Sequence, residues 1–263
     1  MFKREMKVNF KSFIIWLLVL LGIFLMGFLI YPSIVKSDSV SSLNEMMGMF
    51  PEEVLKAFNM DISSIDSVFG WIKSEGFVLV LLIVGCYAGV MGSSILYKEE
   101  DDGTIEYLNS LPVRRCDIVY SKMMSGFIYI ILMVLGLGIF NYIGLSISGD
   151  FDRFQYILLS ITPIFSSIVI YFLCMFLSVV IKKGKKLLGL SLGLVLVSYV
   201  LEMFSNLSDG VSFLKYFSVF TLADIRNVII DVSLNPVLIL ISISLSILFG
   251  YLTLVFYNKR EFL

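Results

Sequence analysis

The sequence predicts an all-α, polytopic membrane protein with six transmembrane helices. The chain is 58% hydrophobic and only 16% charged, with a mean hydropathy of +0.94, whereas a soluble domain carries about 25% charged residues. Apolar runs of about 20 residues recur, and each can cross a hydrocarbon core of about 30 Å at a rise of about 1.5 Å per residue. These runs are apolar on all sides, which argues against a soluble helical bundle.

The six spans are predicted within a single transmembrane domain, residues 1–263. They cover residues 12–31, 76–97, 122–147, 157–181, 186–204 and 236–257. The fourth and fifth spans are separated only by "KKGKK" at 182–186. Four lysines around a glycine cannot lie in hydrocarbon, so we interpret this stretch as a short turn between two spans.

Ahead of the first span, aromatic and methionine side chains recur among basic residues. Phe2, Met6, Phe10 and Phe13 are three or four positions apart, a spacing that predicts a short amphipathic helix at the membrane interface. An ordinary basic flank that only orients the first span is the alternative.

The lysines and arginines predict the orientation. Fourteen of the 20 lie in the N-terminal segment, in residues 98–122, at 182–186 and at the C-terminal end. The other six are spread over the longer connections on the opposite side. Because cytoplasmic loops are enriched in Lys and Arg, both termini and residues 98–121 are predicted to be cytoplasmic, in a multi-pass protein of the cell membrane.

Several chemistries are disfavoured by what the sequence lacks. It has no histidine, the commonest general base and metal ligand, and its three cysteines have no metal-ligand spacing. We therefore expect neither a cofactor nor an intramembrane enzyme. No G-x-x-x-x-G-K-[ST] motif is present, so we do not expect this chain to hydrolyse ATP. An ion-driven carrier normally keeps acids near the middle of the membrane to bind the ion. The one acid within an apolar run is Glu202, near the outer end of the fifth span, which argues against such a carrier.

The outer loop, residues 32–75, is too long to be a simple connection. Its stretch "FPEEVLKAF" predicts one or two short amphipathic helices on the outer surface. Within the spans, small residues recur at four-residue spacing, which favours close helix packing. These pairs and triplets are Gly85 and Gly89, Ala88 and Gly92, Gly189 and Gly193, and Ser242, Ser246 and Gly250.

Residues 98–121, which we call the charged segment, are the most patterned polar stretch. Gly103 is expected to break the helix that leaves the second span, and Thr104 or Asp102 can cap a new short helix. Its apolar stripe would comprise Ile105, Leu108 and Leu111, with Tyr107 beside it and Pro112 at its end. Because the segment faces the cytoplasm, its charges need not be buried. The alternative is a solvated loop whose charges only enforce topology.

The order of residues in this segment resembles the cytoplasmic signature of ABC-2 type permeases, the membrane subunits of ATP-driven exporters. The matching residues are Glu99, Gly103-Thr104, Glu106, Leu108, Leu111-Pro112, Arg115 and Lys122. The basic start, the long first outer loop and the six spans also resemble one branch of that family. The pair Cys116-Asp117 departs from the family pattern, in which a Ser or Thr cap is common.

The resemblance implies that the charged segment contains a coupling helix that docks on a separate ABC ATP-binding subunit. Glu106 would supply a polar contact, and the two arginines would pair with acids or anionic lipid. The implied docking residues are Glu99, Gly103, Thr104, Ile105, Glu106, Tyr107, Leu108, Leu111, Pro112, Arg114 and Arg115.

The resemblance further implies export as the direction of transport and a second permease copy, identical or paralogous. Membrane lipid is the other expected contact, and no nucleic acid is expected as a partner. The apolar interior favours a hydrophobic or amphipathic substrate. The alternative is a non-transporting anchor, immunity or sensor subunit that binds an ATPase through the same segment.

Overall fold

The computed structural model describes residues 1–35, 67–101, 103, 114–181, 184–207 and 209–259, and within these ranges it is helical without a strand. The α-helices are α1 (Phe2–Val35), α2 (Val68–Trp71), α3 (Phe77–Asp101), α4 (Arg115–Ser148), α5 (Arg153–Val180), α6 (Gly184–Ser205), α7 (Ile225–Ile230) and α8 (Pro236–Lys259). A π-helical turn (Ile72–Gly76) joins α2 to α3, and two 3₁₀ segments (Asp209–Phe217 and Phe220–Ala223) precede α7.

Six of these helices are long and apolar enough to cross a membrane, namely α1, α3 with its α2 extension, α4, α5, α6 and α8. This confirms the all-α, six-span prediction. The break at the lysine-rich turn is also present, since α5 ends at Val180 and α6 begins at Gly184. The stretch "FPEEVLKAF" lies outside the described residues.

The first helix is longer than the predicted span. The N-terminal segment is helical, but it continues without interruption from Phe2 to Val35 instead of forming a separate interfacial helix. The N-terminal part of α1 packs against α4. Tyr129 Oη donates to the Met6 carbonyl, and the ring centroids of Phe13 and Tyr129 are 5.0 Å apart. Its 34 residues measure about 50 Å, more than a hydrocarbon core of about 30 Å.

Helix α5 lies at the centre of the bundle. It packs most extensively on α3, then on α8 and α4, while α1 packs mainly on α4 and α6 on α3. The approach of α3 and α5 is close, since a Cβ placed on Gly92 would lie 2.3 Å from the carbonyl oxygen of Tyr171. Helix α5 starts with Asp152 as its cap, which accepts a hydrogen bond from the Gln155 amide at 3.0 Å.

The small-residue stripes differ in what they face. Gly85 and Gly89 lie against Val195 and Ser191 of α6, and Gly250 lies against Met123 and Phe172. A Cβ on Gly189 or Gly193 would meet no atom within 4 Å. Close packing is therefore present at the stripes of α3 and α8, whereas the stripe of α6 faces open space among the described residues.

Candidate functional site

Part of the predicted docking surface falls within the described residues. Glu99, Gly103, Arg114 and Arg115 are described, whereas Thr104, Ile105, Glu106, Tyr107, Leu108, Leu111 and Pro112 lie outside the described residues, so their docking helix stays a prediction. Helix α3 ends at Asp101, and Gly103 is exposed with φ of 64°. That left-handed backbone favours glycine and agrees with the predicted break.

The two arginines lie at the exposed start of α4. Arg114 Nε donates to Asp117 Oδ2 at 3.1 Å, and the pair sits in the first turn of the helix, where an acid also complements the positive helix end. Solvent screens a surface pair of this kind, so it contributes little to stability. The Arg114 side chain is 86% exposed and remains accessible to a partner.

Glu99 does not lie on the surface of the charged segment. Its carboxylate is buried and accepts a hydrogen bond from Lys122 Nζ at 2.5 Å. The same ammonium donates to Glu5 Oε2 at 3.2 Å and to the Ile95 carbonyl at 2.9 Å. Three acceptors match the three N–H donors of a lysine, which allows Lys122 to be only 2% exposed.

We call Glu5, Lys122 and Glu99 the charged cluster. Glu5 lies in the first turn of α1, Glu99 near the end of α3 and Lys122 near the beginning of α4. Because Glu99 lies at the start of the charged segment and Lys122 directly follows its last residue, their contact joins the two helices from which the segment leaves and to which it returns. Glu5 adds the N-terminal end of α1 to the same point.

The C-terminal end of α8 reaches the same end of the bundle. Asn258 Nδ2 donates to Cys116 Sγ at 3.0 Å, and both side chains are exposed. Both terminal helices and the charged segment therefore meet at one end, which agrees with the predicted placement of the two termini and the segment on one side of the membrane.

A layer of buried tyrosines adjoins the charged cluster. Tyr171 Oη of α5 lies 3.3 Å from the carbonyl oxygens of Lys122 and Met123. A Cβ on Gly126 would come within 2.3 Å of that hydroxyl, so α4 and α5 touch at this level. The backbone at Lys122 is thereby linked to the central helix of the bundle.

Sequence reasoning did not single out Glu5. The one available signal was an acid within a basic N-terminal segment, on the helix side opposite the exposed Lys3, Arg4 and Lys7. Its partner lies 117 positions away, and nothing in a local pattern indicates which helices become neighbours. The sequence analysis identified Glu99 and Lys122 only as members of the cytoplasmic motif.

At the opposite end, a cavity of about 1090 Å³ opens between α6, α8 and the connection that joins them. Charged and polar side chains line it together with apolar ones: Glu202, Lys215, Ser218, Thr221, Asp224, Arg226, Tyr199, Phe217, Leu238 and Ile241. Glu202 Oε2 lies 2.5 Å from Thr221 Oγ1, which also lies 2.6 Å from the Lys215 carbonyl. The lining is amphipathic and accessible.

Asp224 shapes the rim of this cavity. It adopts a left-handed backbone, with φ of 49°, a conformation that Asp tolerates better than most residues. Its Oδ2 accepts a hydrogen bond from the Asn235 amide at 3.0 Å, which joins the connection to the start of α8. Partial burial raises the pKa of the Asp224 carboxyl, with the Asn235 hydrogen bond opposing that rise.

No group of His, Cys, Asp and Glu that could hold a metal occurs among the residues the structure describes. Two sites stand out among the described residues: the charged cluster at one end and the amphipathic cavity at the other.

Comparison with known proteins agrees with this architecture. The family model described as "ABC-2 family transporter protein" matches residues 1–262. No curated protein and no solved structure matches the chain. The family match spans the six membrane helices and both sites, and this family supplies membrane permease components that associate with an ABC ATP-binding subunit. The chain therefore belongs to the ABC-2 family of transporter proteins, as a multi-pass membrane permease component.

Proposed function

We propose that this chain is the permease subunit of an ABC exporter that moves a hydrophobic or amphipathic substrate across the cell membrane. ATP hydrolysis belongs to a separate subunit, which docks on the charged segment. The observation that carries the proposal is the family match over residues 1–262 combined with the absence of a phosphate-binding motif from the sequence.

The amphipathic outer cavity supports a transport role over a purely anchoring one. At about 1090 Å³, it slightly exceeds the roughly 300–1,000 Å³ that ligand pockets usually have. Apolar side chains of the spanning helices and of the connection line it, and its charges come from α6 and that connection. A molecule with one apolar and one polar part fits such a lining.

A second permease copy completes the proposed complex. Six spans form half of the twelve that two permease subunits would provide around a shared path, and the exposed apolar surface of α6 is compatible with a further helix contact. The copy is either identical to this chain or paralogous to it.

The docking role is tested by replacing Leu108 with Asp and Glu106 with Ala. Leu108→Asp places a charge on the predicted apolar stripe, so we expect the ATP-binding subunit to be lost on purification in mild detergent. Glu106→Ala should weaken retention of that subunit. Leu108→Met keeps the apolar surface and serves as the matched control.

Membrane insertion is measured in parallel, so that loss of the partner is not confused with loss of the permease. Retention of the ATP-binding subunit by both Leu108→Asp and Glu106→Ala would contradict docking at this segment. Reconstitution of the wild-type complex into liposomes, followed by ATP-dependent movement of fluorescent amphipathic dyes and lipids, distinguishes an exporter from a non-transporting subunit.

A further inference from the structure

We propose that the charged cluster carries nucleotide-driven movement of the charged segment into α1 and α4, with Lys122 as the positioning residue that joins them. The inference rests on the proposed function, because the movement originates in the ATP-binding subunit. It deepens that function by assigning the route through which docking at one end of the chain reaches the helices that cross the membrane.

The first step is the contact between Lys122 and Glu99. Glu99 lies on α3 and Lys122 on α4, directly before and after residues 100–121, which include the end of α3 and the first turns of α4. Their 2.5 Å contact joins α3 and α4 at the point where the charged segment leaves the bundle, which we call its base. The bond from Lys122 to the Ile95 carbonyl reinforces it. A displacement of the segment therefore acts on α3 and α4 jointly.

The second step is the contact between Lys122 and Glu5. Helix α1 packs mainly on α4 and only slightly on α3, so a polar bond from Lys122 to Glu5 at 3.2 Å connects the end of α1 directly to the base of the segment. Tyr129, about two turns further along α4, strengthens the same connection by donating to the Met6 carbonyl. Movement at the base is thus transmitted to α1.

The third step reaches the centre of the bundle. Tyr171 Oη lies 3.3 Å from the Lys122 carbonyl, and Gly126 and Gly92 bring α4 and α3 against the same tyrosine. A shift of the α4 backbone at Lys122 therefore changes the contact with α5, on which α3, α4 and α8 all pack. Closely packed interiors transmit such shifts because they have little free volume.

Stability alone does not account for the cluster. Taking an ammonium and two carboxylates out of water is costly, and well-packed apolar residues often stabilise a fold as well as a buried ion pair does. What hydrogen-bonded charges add is a single preferred alignment of the elements that they join. To transmit movement of the charged segment, α1, α3 and α4 must keep one alignment at its base.

The test follows backbone amide hydrogen–deuterium exchange in the purified complex of permease and ATP-binding subunit, with and without a non-hydrolysable ATP analogue. In the wild type, we expect the analogue to change exchange both in residues 100–121 and in residues 2–11. In Lys122→Met, the change in residues 100–121 should persist, whereas the change in residues 2–11 should be lost.

Two further variants make the test specific. Lys259→Met removes an exposed lysine at the end of α8 and should behave as the wild type in both regions. Glu5→Met leaves the Lys122–Glu99 contact in place and removes the acceptor that links Lys122 to α1, so it should also lose the response in residues 2–11. If Lys122→Met does not fold, Glu5→Met decides the question.

The outcomes separate the two proposals. If the wild-type permease retains no ATP-binding subunit, the proposed function fails and this inference fails with it. If the subunit is retained and folded Lys122→Met and Glu5→Met both keep the wild-type response in residues 2–11, only the inference is overturned. It is also overturned if the wild type responds in residues 100–121 but not in residues 2–11.

Discussion

At the scale of single residues, the close approach of α3 to α5 depends on a missing side chain. A Cβ on Gly92 would lie 2.3 Å from the Tyr171 carbonyl oxygen and 3.1 Å from the Cys174 Cβ. The first of these atoms belongs to the backbone and cannot rotate away. The approach of α3 to α5 is therefore possible only with glycine at position 92.

We accordingly expect Gly92→Ala to lower the free energy of unfolding by about 1–3 kcal/mol, because overpacking forces the two helices apart. The measurement is thermal unfolding in detergent, followed by tryptophan fluorescence. Gly189→Ala is the matched control, since its new methyl group would meet no atom within 4 Å. Equal melting temperatures for the wild type and Gly92→Ala would contradict the packing described here.

The sequence around Glu99 and Lys122 does not reveal that their side chains are buried in contact with each other. Glu99 was predicted to take part in docking, and Lys122 was noted as part of the same motif. The structure buries both and adds Glu5 from the first helical turn. A carboxylate and a lysine far apart in sequence look like ordinary flanking charges until the helices that carry them are adjacent.

At the scale of elements, the beginning of α4 and the end of α8 meet although they are 142 positions apart. The contact between Cys116 and Asn258 is exposed, so reagents can reach it. The pair also lies on helices that pack along each other further into the bundle, where Gly250 of α8 contacts Met123 of α4.

Replacing Asn258 with Cys should therefore permit a disulfide with the native Cys116. Oxidation with copper phenanthroline is expected to remove two maleimide-reactive thiols from Asn258→Cys, as read by a gel-shift reagent. Ile247→Cys places an exposed thiol eleven residues earlier on α8, about 16 Å along the helix, and should retain both thiols. Cross-linking of Ile247→Cys but not of Asn258→Cys would be inconsistent with this pairing of helices.

At the scale of the whole molecule, the two ends of the bundle differ in chemistry. One end gathers the N-terminal end of α1, the end of α8 and the base of the charged segment around buried charges. The other end carries the amphipathic cavity and the long connection between α6 and α8. The excess of lysine and arginine predicts that the first end faces the cytoplasm.

The native Cys116 allows this orientation to be tested without introducing a cysteine. It is exposed, whereas Cys86 is half-buried and Cys174 is buried. We expect a membrane-impermeant maleimide to label the protein at Cys116 only after the cells are permeabilised. In a Cys116→Ser background, Ser148→Cys, exposed at the end of α4, should react in intact cells. Labelling of Cys116 in intact cells would reverse the predicted orientation.

The sequence by itself determined the properties that depend on length, hydrophobicity and local backbone preference. Six apolar runs are sufficient to predict six spanning helices, the lysines at 182–186 predict the break between α5 and α6, and Gly103 predicts the end of α3. Each is confirmed because the cause lies within a few residues of the effect.

Only the tertiary structure decided which helices are neighbours and which faces they bury. It placed α5 at the centre, extended the first helix back to Phe2, brought Glu5, Lys122 and Glu99 together, and left the glycines of α6 unpacked. The runs are apolar on all sides, so they carry no stripe that indicates how each helix is rotated. In such a chain, close contacts of small residues and a few buried charges set the arrangement, and both depend on partners far away in sequence.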